Sequence, residues 1–336
     1  MASTQIKWNW EVIGNKNIVN FLQKNIENQN LTHAYLFVGP DKIGRKMVAE
    51  NFVKSLLCLD NSVKPCGKCN NCKQIERGIH PDIFYLTKLD GKKNISIEQV
   101  RELQGKLSLG SFGNSYKIAL VDGADLLSIE AANSLLKTLE EPTEKTILIL
   151  IAQKIDFLPE TILSRCQVFN FLPVDEKEIF DCLISQGATR QQAENFTHLS
   201  FGRPGLAIDL FNNKELFEEY NEKVEEFFLL SNGEISKKFE IINDLANTKI
   251  DRSVLVKNLD LSLNIWGIAI RDMLYIKNGL AGFIGNLKFQ DKLQQLSQKY
   301  SKKELVNLLE DLYKLRNLLE KNVNSRLVLE NFVLNL

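Results

Sequence analysis

The chain has no excess of charge of either sign: 42 Lys and Arg balance 42 Asp and Glu over 336 residues. This excludes a generic polycationic nucleic-acid binder, whose affinity rests on a strong positive field, and a highly charged disordered chain. Long apolar runs are also missing. Stretches such as Ile147–Ala152 reach only about six residues, against the roughly 18 needed to span a bilayer. Met1–Val12 carries Lys7 and Glu11 and holds no apolar segment of the roughly 7 to 15 residues that a signal peptide needs. The expectation is a cytoplasmic protein with no membrane partner. Proline (7) and glycine (18) are sparse, which disfavours a many-turned all-β architecture and leaves room for long helices. Six cysteines are too few for a disulfide scaffold, and in a reducing compartment a tight cluster of them reads as a metal site. The remaining composition, 44% hydrophobic and 25% charged, is that of an ordinary globular protein of about two or three domains.

The pattern changes near Pro173. Before it, Ala34–Val38, Ile83–Leu86, Lys117–Val121, Thr146–Ile151 and Gln167–Phe171 read as strands, continuously apolar as expected when both faces are buried. Helical segments lie between them: Arg45–Leu57, Ile97–Leu107 and Ile129–Glu141, the last with Ser128 as N-cap and Pro142 as a stop. This alternation predicts a parallel α/β sheet. After Pro173 the pattern is helical throughout. Three short helices, Glu176–Gln186, Arg190–Leu199 and Gly205–Leu210, precede longer ones at Glu215–Leu230, Ile235–Ala246, Val254–Ile276 and Lys303–Glu320. Leu305, Leu308, Leu312, Leu315 and Leu319 form a helical stripe that suits either a core or a helical subunit interface.

Leu36–Lys46 runs from a strand through a turn into a helix, the context in which backbone N–H groups and a helix N-terminus cradle phosphate. Gly39 and Gly44 have the spacing of a phosphate loop. The next two positions of a working loop hold Lys and a Ser or Thr whose hydroxyl ligates Mg²⁺; here they are Arg45 and Lys46. An ammonium has donors and no acceptor, so Lys46 cannot ligate the metal. Asp41 adds a negative charge inside the loop. The strand Lys117–Val121 leads to Asp122, the acid that would support Mg²⁺, but Gly123 stands where a water-activating Glu would follow. Hydrolysis by this chain is not expected. Arg45 and the loop amides leave passive binding of ATP or ADP open.

Cys58, Cys66, Cys69 and Cys72 lie as C-x7-C-x2-C-x2-C, a spacing that turns four thiolates toward one ion in a closed tetrahedral site. Structural Zn²⁺ is the expected occupant, with an Fe–S cluster or free thiols as the alternatives. Four thiolates around Zn²⁺ leave two surplus negative charges, and Lys64, Lys68 and Lys73 stand nearby in sequence to offset them. Binding free energy of roughly 10 to 16 kcal/mol would order such an insertion without a core of its own. Further along, Leu158–Cys166 reads as a short helical turn ending in Ser164, Arg165 and Cys166 just before the last strand. Arg165 is either a plain surface residue or an arginine finger, a guanidinium offered to a neighbouring subunit's triphosphate, which raises hydrolysis by roughly 10³ to 10⁵.

These residues together resemble the delta-prime family of bacterial DNA polymerase III clamp-loader subunits, in the AAA+ superfamily. The resemblance covers almost the whole chain: Trp10–Gly14 with Leu22, His33–Pro40, the four-cysteine insertion, Ala131–Pro142, Leu163–Cys166, Gly202–Ala207 and Asn322–Glu330. The Ser-Arg-Cys segment and the Glu-Glu-Pro ending of the helix at Pro142 are its most specific parts.

The resemblance implies three domains: a P-loop-type AAA+ α/β domain at 1–172 with its zinc insertion at 58–72, a three-helix lid at 173–213, and an all-α collar at 214–336 that joins a hetero-oligomeric ring. It implies gamma/tau and delta subunits as partners, with the sliding clamp and primed DNA met through the complex at the nucleoid-associated replisome. It also implies that Arg165, flanked by Ser164 and Cys166, is presented to the ATP site of an adjacent gamma/tau subunit, as a non-hydrolysing part of the polymerase holoenzyme. Active gamma/tau-like subunits keep a full phosphate loop, an acidic pair after the second strand and a nucleotide-sensing lid arginine. This chain has Arg45 and Lys46, then Gly123, then Gly205 at the arginine's place with Arg203 two residues earlier. The rival readings are a catalytically active gamma/tau-like ATPase and a zinc-dependent nucleic-acid-binding module.

Overall fold

The computed structural model describes residues 6–109, 115–246, 252–320 and 323–336. Met1–Gln5 of the N-terminal segment and Asn322 of the closing motif lie outside the described residues. The chain divides into two compact units, Met1–Glu178 with Arg203–Gly205, and Ile179–Gly202 with Leu206–Leu336.

In the first unit the continuous apolar runs become strands: β1 (Lys7–Trp8), β2 (Ala34–Val38), β3 (Val63–Lys64), β4 (Ile83–Thr87), β5 (Lys117–Asp122), β6 (Thr146–Ala152) and β7 (Gln167–Asn170). Five of them form one parallel sheet in the order β4-β5-β6-β2-β7. Every residue of β2 and β6 is buried, which accounts for their uninterrupted apolar character. After β2 the chain crosses to the far edge at β4, returns through β5 and β6 to lie beside β2, and places β7 on the other side. The carboxyl ends of β2, β6 and β5 are thereby neighbours: Val38 pairs with Ala152, and Asp122 with Ile151. In open α/β sheets this edge, where strand order reverses, is where ligand-handling groups collect.

Two of the helices between these strands start at hydroxyl caps. Ser96 opens Ile97–Ser108 with a capping box to Gln99, and Ser128 opens Ile129–Glu140 by accepting the Ala131 amide at 3.1 Å. Their apolar faces cover one side of the sheet, where Leu103, Leu135 and Leu139 join Leu36, Val121 and Leu150 in a single buried cluster. Each such leucine contributes about 1.5–3 kcal/mol through removal from water.

Among its described residues the second unit is helical throughout. It contains Arg190–Ser200, Lys214–Asn232, Ile235–Leu245, Arg252–Lys277, Gln290–Ser297, Lys302–Glu320 and Ser325–Leu334. The leucine stripe of Lys302–Glu320 is buried in this unit's own core with Trp266, Ile270 and Phe332, so it serves the core rather than a subunit interface. Trp266, fully buried, stacks on Phe332 with ring centroids 6.2 Å apart. No described helix is long and apolar enough to cross a membrane.

Candidate functional site

β2 delivers the chain to Gly39, and the loop to Gly44 then opens the helix Arg45–Leu57. Glycine is required at both ends for different reasons. A Cβ at Gly39 would lie 2.7 Å from the Phe171 carbonyl oxygen, whereas Gly44 has a φ of +106° as the helix N-cap. Both residues that follow are engaged within the fold. The Arg45 guanidinium is buried: its Nη1 donates to the Ala152 carbonyl at the end of β6, and its Nη2 lies 3.8 Å from Asp41 Oδ1. Burial pulls Arg45 below its ordinary value, while Asp41, Asp125 and Asp122 oppose the shift. The Lys46 ammonium sits 3.1 Å from Asp122 Oδ2, at the end of β5. A fixed cation thus lies against the carboxylate that would support Mg²⁺ in a working loop. Asp125, one residue beyond Ala124, accepts the Gln153 amide at 3.2 Å and adds a further acid at this edge. The Gly205 amide donates to the Lys42 carbonyl at 2.9 Å, and a Cβ there would fall 2.8 Å from that oxygen. The backbone approach leaves no room at position 205 for an arginine side chain.

The four cysteines form the second group. An Asx turn begins their segment, with Asp60 Oδ1 accepting from the Ser62 and Val63 amides; β3 then pairs with β1. Cys69 caps Asn70–Glu76 by accepting the Cys72 amide through Sγ at 3.4 Å. All four Sγ atoms lie within 4.8 Å of one another, and Cys58 and Cys72 are buried. The Lys68 and Cys69 amides donate to Cys66 Sγ at 3.4 and 3.3 Å, pulling that thiol down to about 7. Burial pushes Cys58 and Cys72 up, so those two thiols resist ionising unless a cation replaces their protons. A thiophilic divalent ion satisfies both tendencies, and the donor set is that of a closed tetrahedral zinc site.

Ser164, Arg165 and Cys166 make up the third group. The short helix Glu160–Leu163 leads into it: Arg165 Nη1 donates to the Thr161 carbonyl at 2.9 Å and to Ser164 Oγ at 3.2 Å, and Nη2 lies 2.7 Å from Glu140 Oε1. Burial pushes the Cys166 thiol up to about 12, which leaves it unreactive at neutral pH. The structure thus places Lys46 against Asp122 but turns Arg45 onto Ala152 and toward Asp41, gathers the four thiols, and bonds Arg165 to Ser164. Sequence reasoning missed the Ala152 carbonyl, Asp125 and Glu140 as partners. For Glu140 there was a local signal: two acids, Glu140 and Glu141, sit at the C-terminal end of a helix, where carboxylates oppose its dipole.

The family described as DNA polymerase III, delta subunit matches residues 14–175, and its C-terminal counterpart matches residues 253–336. The Bacillus subtilis DNA polymerase III subunit delta' is 31% identical over 323 residues, 94% of each chain. The tau subunit of the same organism is 28% identical over 329 residues, which span 90% of this chain and 57% of tau. Among solved structures, a DNA polymerase III gamma subunit-related protein from Thermotoga maritima aligns with a TM-score of 0.48 at 15% identity, over 93% of this chain and 97% of that one. The near end-to-end match at 31% identity fixes the family: this chain belongs to the delta-prime subunits of DNA polymerase III.

Proposed function

We propose that this chain is a clamp-loader subunit of DNA polymerase III that does not hydrolyse ATP itself and acts on the nucleotide of a neighbouring subunit. The observation that carries the first half is the 3.1 Å contact between Lys46 and Asp122. A loop that turns over ATP needs a hydroxyl and a carboxylate converging on Mg²⁺; here an ammonium occupies the carboxylate, and Gly123 offers no base beside it. Arg45, bent onto the Ala152 carbonyl, is not free to reach outer phosphates, so any nucleotide held here would be held passively. Arg165 supports the second half. It is anchored and partly exposed in a segment whose Cys166 has no reactivity of its own, as suits a guanidinium offered to a gamma/tau subunit's ATP.

In this reading residues 1–172 are an AAA+ domain, 173–213 a lid and 214–336 a collar. Gamma/tau and delta are the direct partners, and the sliding clamp and primed DNA are met through the complex in the cytoplasm. Cys58, Cys66, Cys69 and Cys72 hold one structural Zn²⁺ that orders the insertion and takes no part in phosphate chemistry.

The test uses the lone chain with ATP and Mg²⁺, then the complex assembled with gamma/tau and delta. We expect no turnover by the lone chain, and a loss of DNA-stimulated ATPase when Arg165→Ala is assembled in place of the native subunit. Turnover by the lone chain that Asp122→Ala abolishes would instead establish the gamma/tau-like ATPase reading. Unchanged ATPase in a fully assembled Arg165→Ala complex would remove the finger assignment.

A further inference from the structure

Glu140 is a costly residue for its helix. Ile129–Glu140 ends on Glu140 and Glu141, with Lys137 the sole basic residue in its last turn, so two carboxylates face the negative end of the helix dipole. Glu141 is exposed to solvent, whereas Glu140 is engaged: its Oε1 lies 2.7 Å from Arg165 Nη2. The partner residues come from separate elements, 25 positions apart in sequence, and among the described residues Arg165 meets no other carboxylate.

The three contacts on Arg165 divide its donors. Nη1 donates to the Thr161 carbonyl at 2.9 Å and to Ser164 Oγ at 3.2 Å, and Nη2 is ion-paired with Glu140 Oε1 at 2.7 Å. A guanidinium has five N–H donors in a rigid planar fork. Among the described residues the Nε–H has no partner, and the side chain is one-third exposed, so this edge of the guanidinium remains available to a ligand. Thr161 and Ser164 are local to the arginine's own turn. Among the described residues Glu140 alone ties the guanidinium to a second element, the helix Ile129–Glu140, whose apolar face packs on the sheet. A long arginine side chain held in one rotamer before it meets an anion loses less entropy on contact.

We infer that Glu140 is a positioning residue for Arg165, fixing the plane of the guanidinium so that its free edge is presented to the triphosphate of the adjoining subunit. This rests on the finger reading of Arg165. It gives the acidic helix ending a task that stability does not explain, because a half-exposed ion pair adds little to folding.

The experiment uses the assembled complex, with DNA-stimulated ATPase followed as kcat and KM for ATP. Glu140→Ala is expected to lower kcat by roughly tenfold or more, the cost of a small misplacement of a catalytic group, with KM unchanged. Glu140→Gln, which keeps an acceptor oxygen at the same reach, should recover most of the loss. The double variant Glu140→Ala/Arg165→Ala should be no slower than Arg165→Ala alone. If Arg165→Ala impairs ATPase while Glu140→Ala leaves kcat intact, the positioning role fails and the finger stands. If the double variant is slower than Arg165→Ala, Glu140 acts independently and the inference is wrong. If Arg165→Ala itself has no effect, the finger reading falls. Gel filtration of each variant complex separates these outcomes from failed assembly.

Discussion

The Lys46 ammonium rests 3.1 Å from the Asp122 carboxylate, joining the first turn of the loop helix to the end of the strand Lys117–Asp122. A side-chain cation that has no acceptor to share with phosphate and water thus stands beside this carboxylate. Replacing Arg45→Lys and Lys46→Thr together should restore a hydroxyl and release Asp122. The expected result is Mg²⁺-dependent ATP binding tighter than that of the native chain, with turnover still at background because residue 123 is glycine. Calorimetry with and without Mg²⁺ reads the first part and phosphate release the second. Binding indistinguishable from the native chain would show that the ammonium is not what keeps the metal out.

Arg45 serves the fold more than a ligand. Its buried guanidinium satisfies the Ala152 carbonyl, and Arg45→Ala would leave that oxygen without this donor at the end of a fully buried strand. The Gly39 amide still donates to that oxygen at 3.3 Å, so the expected cost is about 1.5–3 kcal/mol, the net worth of one hydrogen bond from a charged donor. A urea titration compared with the exposed-site variant Lys154→Ala, expected within about 0.5 kcal/mol of native, supplies the measurement. An unchanged midpoint for Arg45→Ala would mean the guanidinium adds nothing to the fold.

The parts that were legible in sequence are those that depend on local pattern. Ala34–Val38 and Thr146–Ala152 are apolar at every turn of the pleat because both faces are covered, and Ser128 announces its helix by capping it. Thiol spacing announced the cysteine cluster for the same reason, since two-residue gaps bring ligands round one ion. Nonlocal arrangements were not legible. β1 and β3 are two residues each and exist only through one another; helix Lys16–Glu27 begins at Asn15 in a left-handed conformation with no side-chain cap. The same holds for the site. Position identifies Arg45, Lys46 and Arg165 as unusual, but only the fold shows that the first turns inward to Ala152, the second closes on Asp122 and the third is held by Glu140.

Removing metal should affect the first unit locally. A strong chelator is expected to release one zinc per chain and to raise amide exchange over residues 58–76, whose order rests on the thiol set, an Asx turn and one two-residue strand pair, while the Lys68 and Cys69 amides stay on Cys66 Sγ within their own tight turn. The five-stranded sheet should keep its protection, because its core does not draw on the cysteines. Cys72→Ser should show the same exchange pattern without chelator. Exchange unchanged over residues 58–76 after complete zinc release would contradict a structural role for the ion.

Within the second unit, Asp272 is fully buried and carries four partners: the Gly285 amide at 3.1 Å, the Asn286 amide at 2.9 Å, Asn286 Nδ2 at 2.8 Å and Arg271 at 3.0 Å. The Arg271 guanidinium also lies 3.9 Å from the centre of the Phe201 ring, so one carboxylate organises a loop and a stacked cation. Asp272→Ala should cost about 3–5 kcal/mol, because it strands buried donors and an arginine. Asp272→Asn should also be destabilised, since its amide nitrogen faces N–H groups that need an acceptor. Chemical denaturation decides the matter, and a loss under about 1 kcal/mol for the alanine variant would show that water replaces the carboxylate.

The fold shifts the thiols of Cys66 and Cys166 in opposite directions. Amide donation from Lys68 and Cys69 lowers Cys66 from 9.0 to about 7, and burial raises Cys166 from 9.0 to about 12. The signs of their pH linkage are opposite. Cys66, depressed on folding, favours the fold of the zinc-free chain above about pH 9, and that contribution is lost as pH falls through 7. Cys166, raised on folding, favours the fold below about pH 9 and loses its contribution as pH climbs toward 12. Reactivity follows the thiolate, so near neutral pH Cys66 should be substantially ionised and Cys166 almost wholly protonated. Iodoacetamide applied to the zinc-free chain and read by peptide mass spectrometry should label Cys66 ahead of Cys166, with a Cys66 rate profile that turns near pH 7. Zinc-loaded chain should be protected at all four cluster cysteines. A Cys66 profile turning near pH 9 would show that the two backbone amides do not hold the thiolate, and with it would go the physical reason for this loop to bind a cation before the other thiols ionise.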